Sequence, residues 1–304
     1  MRRVAALVGI AVGGALLLTV AVTMWLWRNQ ERVVFQPPTV GASAPSRARR
    51  VEFRAADGHG TLGYVIEPRE RSVRDAPVVI AFHGNADLAV WYVPWAHELA
   101  ERTGVRVFVP EYRGYGGVDG TPTYQSAGSD AAGALRYARE TLGARRIVLF
   151  GHSLGSAIAS DLALSMQPDP PAVMVLQSPF TSAQEMATRM LLPPIPWLWR
   201  RVSRVHYDTR RIVGTLTCPV FVAHGTRDVL VPVRMGRQVF ASARVPGRLL
   251  LVDGAGHNDV AEAGGERYWT WISDAVGAAR ADADDDQRRS ENSRKKATGT
   301  FHDS

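Results

Sequence analysis

Between residues 51 and 279, short apolar runs alternate with longer stretches of helical period. The runs are Val51–Arg54, Gly60–Ile66, Pro77–Phe82, Val105–Pro110, Arg146–Phe150, Ala172–Gln177, Pro219–Ala223 and Arg248–Val252. Several place Val, Ile and Phe on consecutive positions, as in Val78-Val79-Ile80-Ala81-Phe82, which is how a strand buried on both faces reads. The first two flank Asp57-Gly58, a hairpin signal, so the sheet is expected to begin antiparallel. Helical patterns fill the gaps at Val93–Thr103, Tyr124–Leu142, Leu154–Met166, Arg234–Ala243 and Glu262–Ala279. This alternation predicts an α/β fold: a mostly parallel sheet of about eight strands, helices on both faces, and functional loops at the carboxyl ends of the strands.

The pattern changes at both ends. From Val4 to Trp27 no residue is charged, and Thr19 and Thr23 are the polar exceptions. As a helix this stretch covers roughly 36 Å, more than the ~30 Å hydrocarbon core of a bilayer. Arg2 and Arg3 precede it, and Trp25, Trp27 and Arg28 close it as an interfacial belt would. A cleaved signal peptide has an apolar region of about 7–15 residues and a small-x-small site. Met24-Trp25-Leu26-Trp27 is poor cleavage chemistry. Residues 1–28 are therefore expected to be an uncleaved, single-pass anchor that meets the membrane through residues 4–27. The flanking arginines nearly balance, and the short N-terminal tail, like a secretory n-region, favours an extracytoplasmic domain. Residues 29–50 read as a tether, Pro/Ser/Ala/Arg-rich from Gln36 to Arg50. Residues 280–304 mix Asp284, Asp285 and Asp286 with Arg288, Arg289, Lys295 and Lys296 without an apolar period, and are expected to form a disordered tail.

Composition narrows the chemistry. The 304 residues are 46% hydrophobic and 21% charged, so the chain folds around a core. The lone Cys218 excludes a disulfide framework and any CxxC pattern. The formal net charge is +7, but the arginines are scattered and form no stripe, so nucleic acid is not an expected partner. Both lysines, Lys295 and Lys296, lie in the tail, which leaves no Schiff-base or Walker lysine in the globular part. No HExxH or clustered His/Asp spacing is present, so neither a metal nor a cofactor is expected.

The run ending at Phe150 leads into Gly151-His152-Ser153-Leu154-Gly155 and then a helix. This is G-x-S-x-G between strand and helix, where a sharp turn leaves a serine exposed and needs side-chain-free neighbours at Gly151 and Gly155. The turn aims the Leu154 N–H and the helix N-terminus at the place where an oxyanion would form. Serine needs a base that is oriented by an acid. Asp228 follows the seventh run and His257 follows the eighth, in the order Ser, Asp, His expected of such a site. Asp253 and Asp259 are the rival carboxylates, the first on the strand and the second as the N-cap of the last helix. His83 and His224 sit at strand ends, where an imidazole ordinarily holds loop backbone. The second oxyanion donor is expected from Phe82-His83-Gly84-Asn85-Ala86, at the Asn85 N–H.

These segments, with Glu111-Tyr112-Arg113-Gly114-Tyr115-Gly116 and Ser178-Pro179-Phe180, resemble the α/β-hydrolase superfamily. More narrowly, the chain resembles the membrane-anchored α/β-hydrolase-domain-containing serine hydrolases, which include depalmitoylating thioesterases and uncharacterised bacterial esterases. The likeness runs over about residues 31–279 and implies the α/β-hydrolase fold, with Ser153 as nucleophile, Asp228 as acid and His257 as base. Two features depart from the group: Gly117-Val118-Asp119-Gly120-Thr121-Pro122-Thr123-Tyr124 replaces its usual Ser-x-Gly-x-Pro-Ser-Glu, and there is no N-terminal cysteine cluster. Both bear on substrate and leave the chemistry untouched.

A small lid would come from residues 181–217, whose Met190–Trp199 stretch is apolar and broken by Pro193, Pro194 and Pro196. It either covers the site and shapes an acyl pocket or packs as a plain connection. Candidate pocket residues are His83, Tyr115, Leu192, Trp197 and Trp199. The expected substrate is a small-molecule or lipid-like acyl ester or thioester. The alternatives are a peptidase or amidase of the same fold and a non-catalytic anchored scaffold. The sequence carries no signal of oligomeric state.

Overall fold

A computed structural model describes residues 2–39, 48–69, 76–193 and 195–299. Its centre is a sheet that begins with β1 (Arg49–Arg54) and β2 (Gly60–Ile66), paired antiparallel across a turn in which Gly58 takes φ 86°. β2 also runs antiparallel to β4 (Arg106–Pro110). β4 is parallel to β3 (Val78–Phe82), and the parallel run continues through β5 (Ile147–His152), β6 (Val173–Gln177), β7 (Val220–Gly225) and β8 (Pro246–Val252). The resulting eight-stranded order is β1-β2-β4-β3-β5-β6-β7-β8. The central strands β3, β5 and β6 are buried at every position, as their unbroken Val, Ile, Leu and Phe runs require. The edge strand β1 alternates instead.

Two rows of helices cover the sheet. α2 (Val93–Thr103) packs against α9 (Val260–Gly299), and α3 (Tyr124–Glu140), α4 (Leu154–Ser165), α7 (Thr209–Val213) and α8 (Val233–Ser242) form the second row. Thr123 opens α3 with a capping box shared with Ser126, and Gly104 ends α2 in the left-handed region at φ 63°.

The 181–217 connection folds as α5 (Ala183–Met190), α6 (Ile195–Val202) and α7. The prolines do not prevent helix here. α5 ends before Pro193, and Pro196 sits in the first turn of α6, where its missing N–H costs no intrahelical bond. α6 packs beside α1 (Arg2–Val34), the apolar N-terminal helix, whose span from Ala6 has a mean hydropathy of 2.3. That helix is long and apolar enough to cross a membrane, and its most apolar stretch lies free of the domain.

Two expected boundaries move. α1 runs on to Val34, into the segment expected as tether, because Leu26, Gln30 and Phe35 find a buried seat on the domain. Of the rest of the tether, residues 40–47 lie outside the described residues. Helical backbone of α9 runs through the segment expected as tail as far as Gly299, and residues 300–304 lie outside the described residues.

Candidate active site

The carboxyl ends of β5, β7 and β8 converge on one spot. β5 ends at His152, and α4 begins at Leu154, so Ser153 alone makes the turn, at φ 51° and ψ −115°. No L-residue takes that conformation without strain, and the surrounding backbone holds it there. A Cβ on Gly155 would lie 2.1 Å from the Phe82 carbonyl oxygen, and one on Gly151 would lie 2.3 Å from the Gly155 oxygen. The two glycines thus let strand and helix close around the serine.

Asp228 lies three residues past β7, and His257 five past β8. Their loops are laced together: the Arg227 N–H donates to the Ala255 carbonyl at 2.8 Å, and Thr226 Oγ1 donates to Asp253 Oδ1 at 3.0 Å. His257 Nε2 is 2.9 Å from Ser153 Oγ, and His257 Nδ1 is 2.6 Å from Asp228 Oδ2. With Nδ1 protonated toward the carboxylate, Nε2 is free to accept the serine proton. Burial alone would raise the Asp228 carboxyl, but hydrogen bonds from His224 and His257 and from the Val231 N–H hold it well below the usual carboxylate range. It stays an anion.

The rival carboxylates are engaged elsewhere. Asp253 holds Thr226, and Asp259, immediately before α9, accepts from the Gly256 N–H at 2.7 Å. His224 Nε2 donates to the Val231 carbonyl at 2.8 Å and also lies 3.2 Å from Asp228 Oδ2, so it braces the acid as well as the loop. The loop after β3 runs alongside Ser153: a Cβ on Gly84 would come within 3.7 Å of Ser153 Cβ. Asn85 is fixed in that loop by its side chain, and Leu154 is the first residue of α4, whose N–H has no intrahelical acceptor.

Residues 74–212 match a family profile described as "Serine aminopeptidase, S33". The uncharacterized protein Rv2307c of Mycobacterium tuberculosis is 34% identical over 250 residues, which cover 80% of this chain and 85% of that protein. The chain belongs to the α/β-hydrolase superfamily. This hydrolase is also similar to the lysophosphatidylserine lipase ABHD12 of Danio rerio, at 27% identity over 177 residues, or 54% of this chain and 46% of that one. Among solved structures, the Pyrococcus furiosus esterase Pf2001 shares its fold, with a TM-score of 0.63 at 18% identity, covering 80% of this chain and 97% of that one.

The residues expected to line a pocket take up separate places in the structure. In this hydrolase His83 is fully buried, with Nδ1 on the Gly84 carbonyl and Nε2 2.8 Å from Glu111 Oε1. Burial opposes charge on that ring, but the Glu111 carboxylate beside it outweighs burial and raises its pKa. Tyr115 is buried, its hydroxyl donating to Asn85 Oδ1 at 2.8 Å. Trp199 is core, whereas Leu192 and Trp197 face outward. The cause is the seat of α6, which lies beside α1.

An open cleft of about 480 Å³ lies instead between the starts of α2 and α9, and His152 and Asn258, the chain neighbours of Ser153 and His257, are in its wall. His152 was not foreseen. Its Nε2 donates to the His257 carbonyl at 3.2 Å while its Nδ1 accepts from the Tyr92 hydroxyl at 2.7 Å, and Ser178 Oγ donates to the same His257 carbonyl. The His257 main chain is therefore clamped from two sides. The available signal was a polar side chain at the end of a buried strand, next to the serine. Among the described residues no group of three His, Cys, Asp or Glu side chains is placed to hold a metal ion.

Proposed function

We propose that this α/β hydrolase is a membrane-anchored serine hydrolase that cleaves carboxylic esters or thioesters through an acyl-enzyme. The observation that carries the reading is the unbroken hydrogen-bonded line from Ser153 Oγ through His257 to Asp228, with the serine on a strained strand-to-helix turn. His257 Nε2 takes the Ser153 proton as Oγ attacks the carbonyl carbon. The carbonyl oxygen becomes an anion held by the N–H groups of Leu154 and Asn85. As the tetrahedral intermediate collapses, the bond to the alcohol or thiol breaks and His257 returns the proton to the leaving group. Water, deprotonated by the same imidazole, then releases the acid and restores the serine. Asp228 remains ionised throughout and stabilises the imidazolium.

The anchor reading rests on α1. Its apolar length stands clear of the domain, and Trp25 and Trp27 are exposed near its end, where the Arg204 guanidinium lies 5.1 Å from the Trp27 ring. The helix would hold the site close to a membrane, with the domain on the extracytoplasmic side that the short N-terminal flank favours. A lipid-like acyl ester fits that placement, and the zebrafish relative named a lysophosphatidylserine lipase supports it. The family description as an aminopeptidase favours amide cleavage as the second reading.

A fluorophosphonate probe tests the chemistry. The full chain in detergent is expected to label, and Ser153→Ala to lose both labelling and ester hydrolysis. Folded wild-type protein without Ser153-dependent labelling would leave an anchored scaffold. A panel of acyl esters, thioesters and aminoacyl anilides on the same preparation separates esterase from amidase.

A further inference from the structure

The cleft between α2 and α9 differs in character from the chain as a whole. The protein carries a formal net charge of +7, yet the ionisable walls of this cleft are the carboxylates Asp87, Glu98 and Glu262, and neither Arg nor Lys lines it. Its lone imidazole, His152, is uncharged at neutral pH, since burial and the neighbouring His257 pull it down to about 3. Glu98 is paired with Arg102, which reaches it from outside the lining. Glu262 has no such partner among the described residues, whereas Asp87, raised by burial, faces the His83 ring as an opposing charge and accepts the Leu88 N–H at 2.8 Å.

Four aromatic rings complete the walls: Trp91, Tyr92, Trp95 and Trp269. Carboxylates set among ring faces select a cation, because the ring quadrupole and the acid both attract positive charge and the rings exclude the water that would screen it. Trp269 already shows that affinity, since the Arg102 guanidinium lies 5.4 Å from its ring.

The position of the cleft says which part of a substrate would enter it. His257 protonates the leaving group, so the leaving group departs on the His257 side of Ser153. Asn258, Ala261 and Glu262, which follow His257 in the chain, line the cleft. We propose that the cleft binds a positively charged nitrogen in the leaving alcohol or thiol, making esters or thioesters of ammonium-bearing alcohols or thiols the preferred substrate class. This inference rests on the hydrolase reading above.

The test compares butyrylcholine with its neutral carbon isostere, the dimethylbutyl ester of the same acid, on the full chain in detergent. The two share acyl group, shape and reaction, so the ratio of their kcat/KM values isolates charge. The choline ester is expected to be favoured about tenfold. Asp87→Asn combined with Glu262→Gln, and separately Trp91→Leu at an exposed ring, are expected to bring the ratio toward unity. A wild-type ratio near one, or a ratio unmoved by both variants, overturns the proposal. Choline titrated against the tryptophan fluorescence of Ser153→Ala reads the cleft without the reaction. Saturable quenching that Trp91→Leu abolishes supports a cation site, and its absence overturns it. Should neither ester turn over, the hydrolase reading fails separately and this titration still decides the cleft.

Discussion

The His152 imidazole is buried against the main chain of His257, and that placement has a consequence for stability. A histidine in the unfolded chain titrates near 6.5, whereas burial and His257 bring this one down to about 3 in the folded protein. The neutral ring is thus favoured by folding. Its contribution is fully present above pH 6.5 and is lost as pH falls from 6.5 toward 3, at up to about 1.4 kcal/mol per pH unit. Asp228, also lowered, loses its contribution only as pH falls below the ordinary carboxylate value of 3.8. His83, raised by Glu111, has the opposite sign: its contribution is lost as pH rises through its folded value. Asp161, raised by burial to about 6, acts with the opposite sign between 3.8 and about 6, so the comparison with a His152 variant is what isolates the His152 slope. His152→Gln is expected to lower the thermal midpoint at neutral pH and to flatten its decline below pH 6.5, measured by circular dichroism on the detergent-solubilised chain. Parallel curves for the two proteins would contradict the argument. Ser153, Asp228 and His257 were readable in the sequence because each follows an apolar run ending in a glycine-bearing turn. His152 and Tyr92 were not, because His152 targets a main-chain carbonyl on a strand-end loop far along the chain, which has no letter in the sequence, and Tyr92 acts only through the His152 ring.

The strands were legible for the same reason that they are stable. Runs such as Val78–Phe82 and Ile147–Phe150 are buried on both faces, so their limits follow burial, and β3 and β5 begin within a residue of the apolar runs. The 181–217 connection was not legible, since its apolar residues divide between core and surface by a packing partner, α1, that no local period reveals. Trp199 is 3% exposed and Trp197 is 52% exposed, although they lie two residues apart on α6. The Arg201 guanidinium lies 4.4 Å from the Trp197 ring. Trp199→Ala is therefore expected to cost about 3–5 kcal/mol through the cavity it leaves, and Trp197→Ala less than about 0.5 kcal/mol. Urea unfolding followed by circular dichroism distinguishes them. Equal losses would mean that α6 sits on the domain with both rings covered.

The N-terminal helix also reaches the candidate site. At its end, Asn85 Nδ2 donates to the Val34 carbonyl at 2.7 Å, and the Gln36 N–H donates to Asn85 Oδ1 at 2.9 Å and to the Tyr115 hydroxyl at 3.0 Å. The residue whose N–H is proposed to hold the oxyanion is thus fastened, through its own side chain, to the segment leaving α1. Further up, the Arg204 N–H donates to Gln30 Oε1 and the Gln30 Nε2 group to the Val202 carbonyl, so the helix is seated on α6 as well. An oxyanion donor acts only if it is pre-positioned, and losing one costs about 10²–10³ in turnover. A donor left in place on a loosened loop is expected to cost about tenfold. Deletion of residues 1–36 should then lower kcat for a short, water-soluble ester by about that factor with KM little changed, and Asn85→Ala in the full chain should do the same. Using a soluble ester keeps partition into the membrane out of the comparison, and fluorophosphonate labelling of each variant shows that the serine is still presented. If the truncated chain turned over the soluble ester within about twofold of the full chain, α1 would be a tether alone, and the hydrogen bonds at Asn85 would fix the helix to the domain without tuning the site.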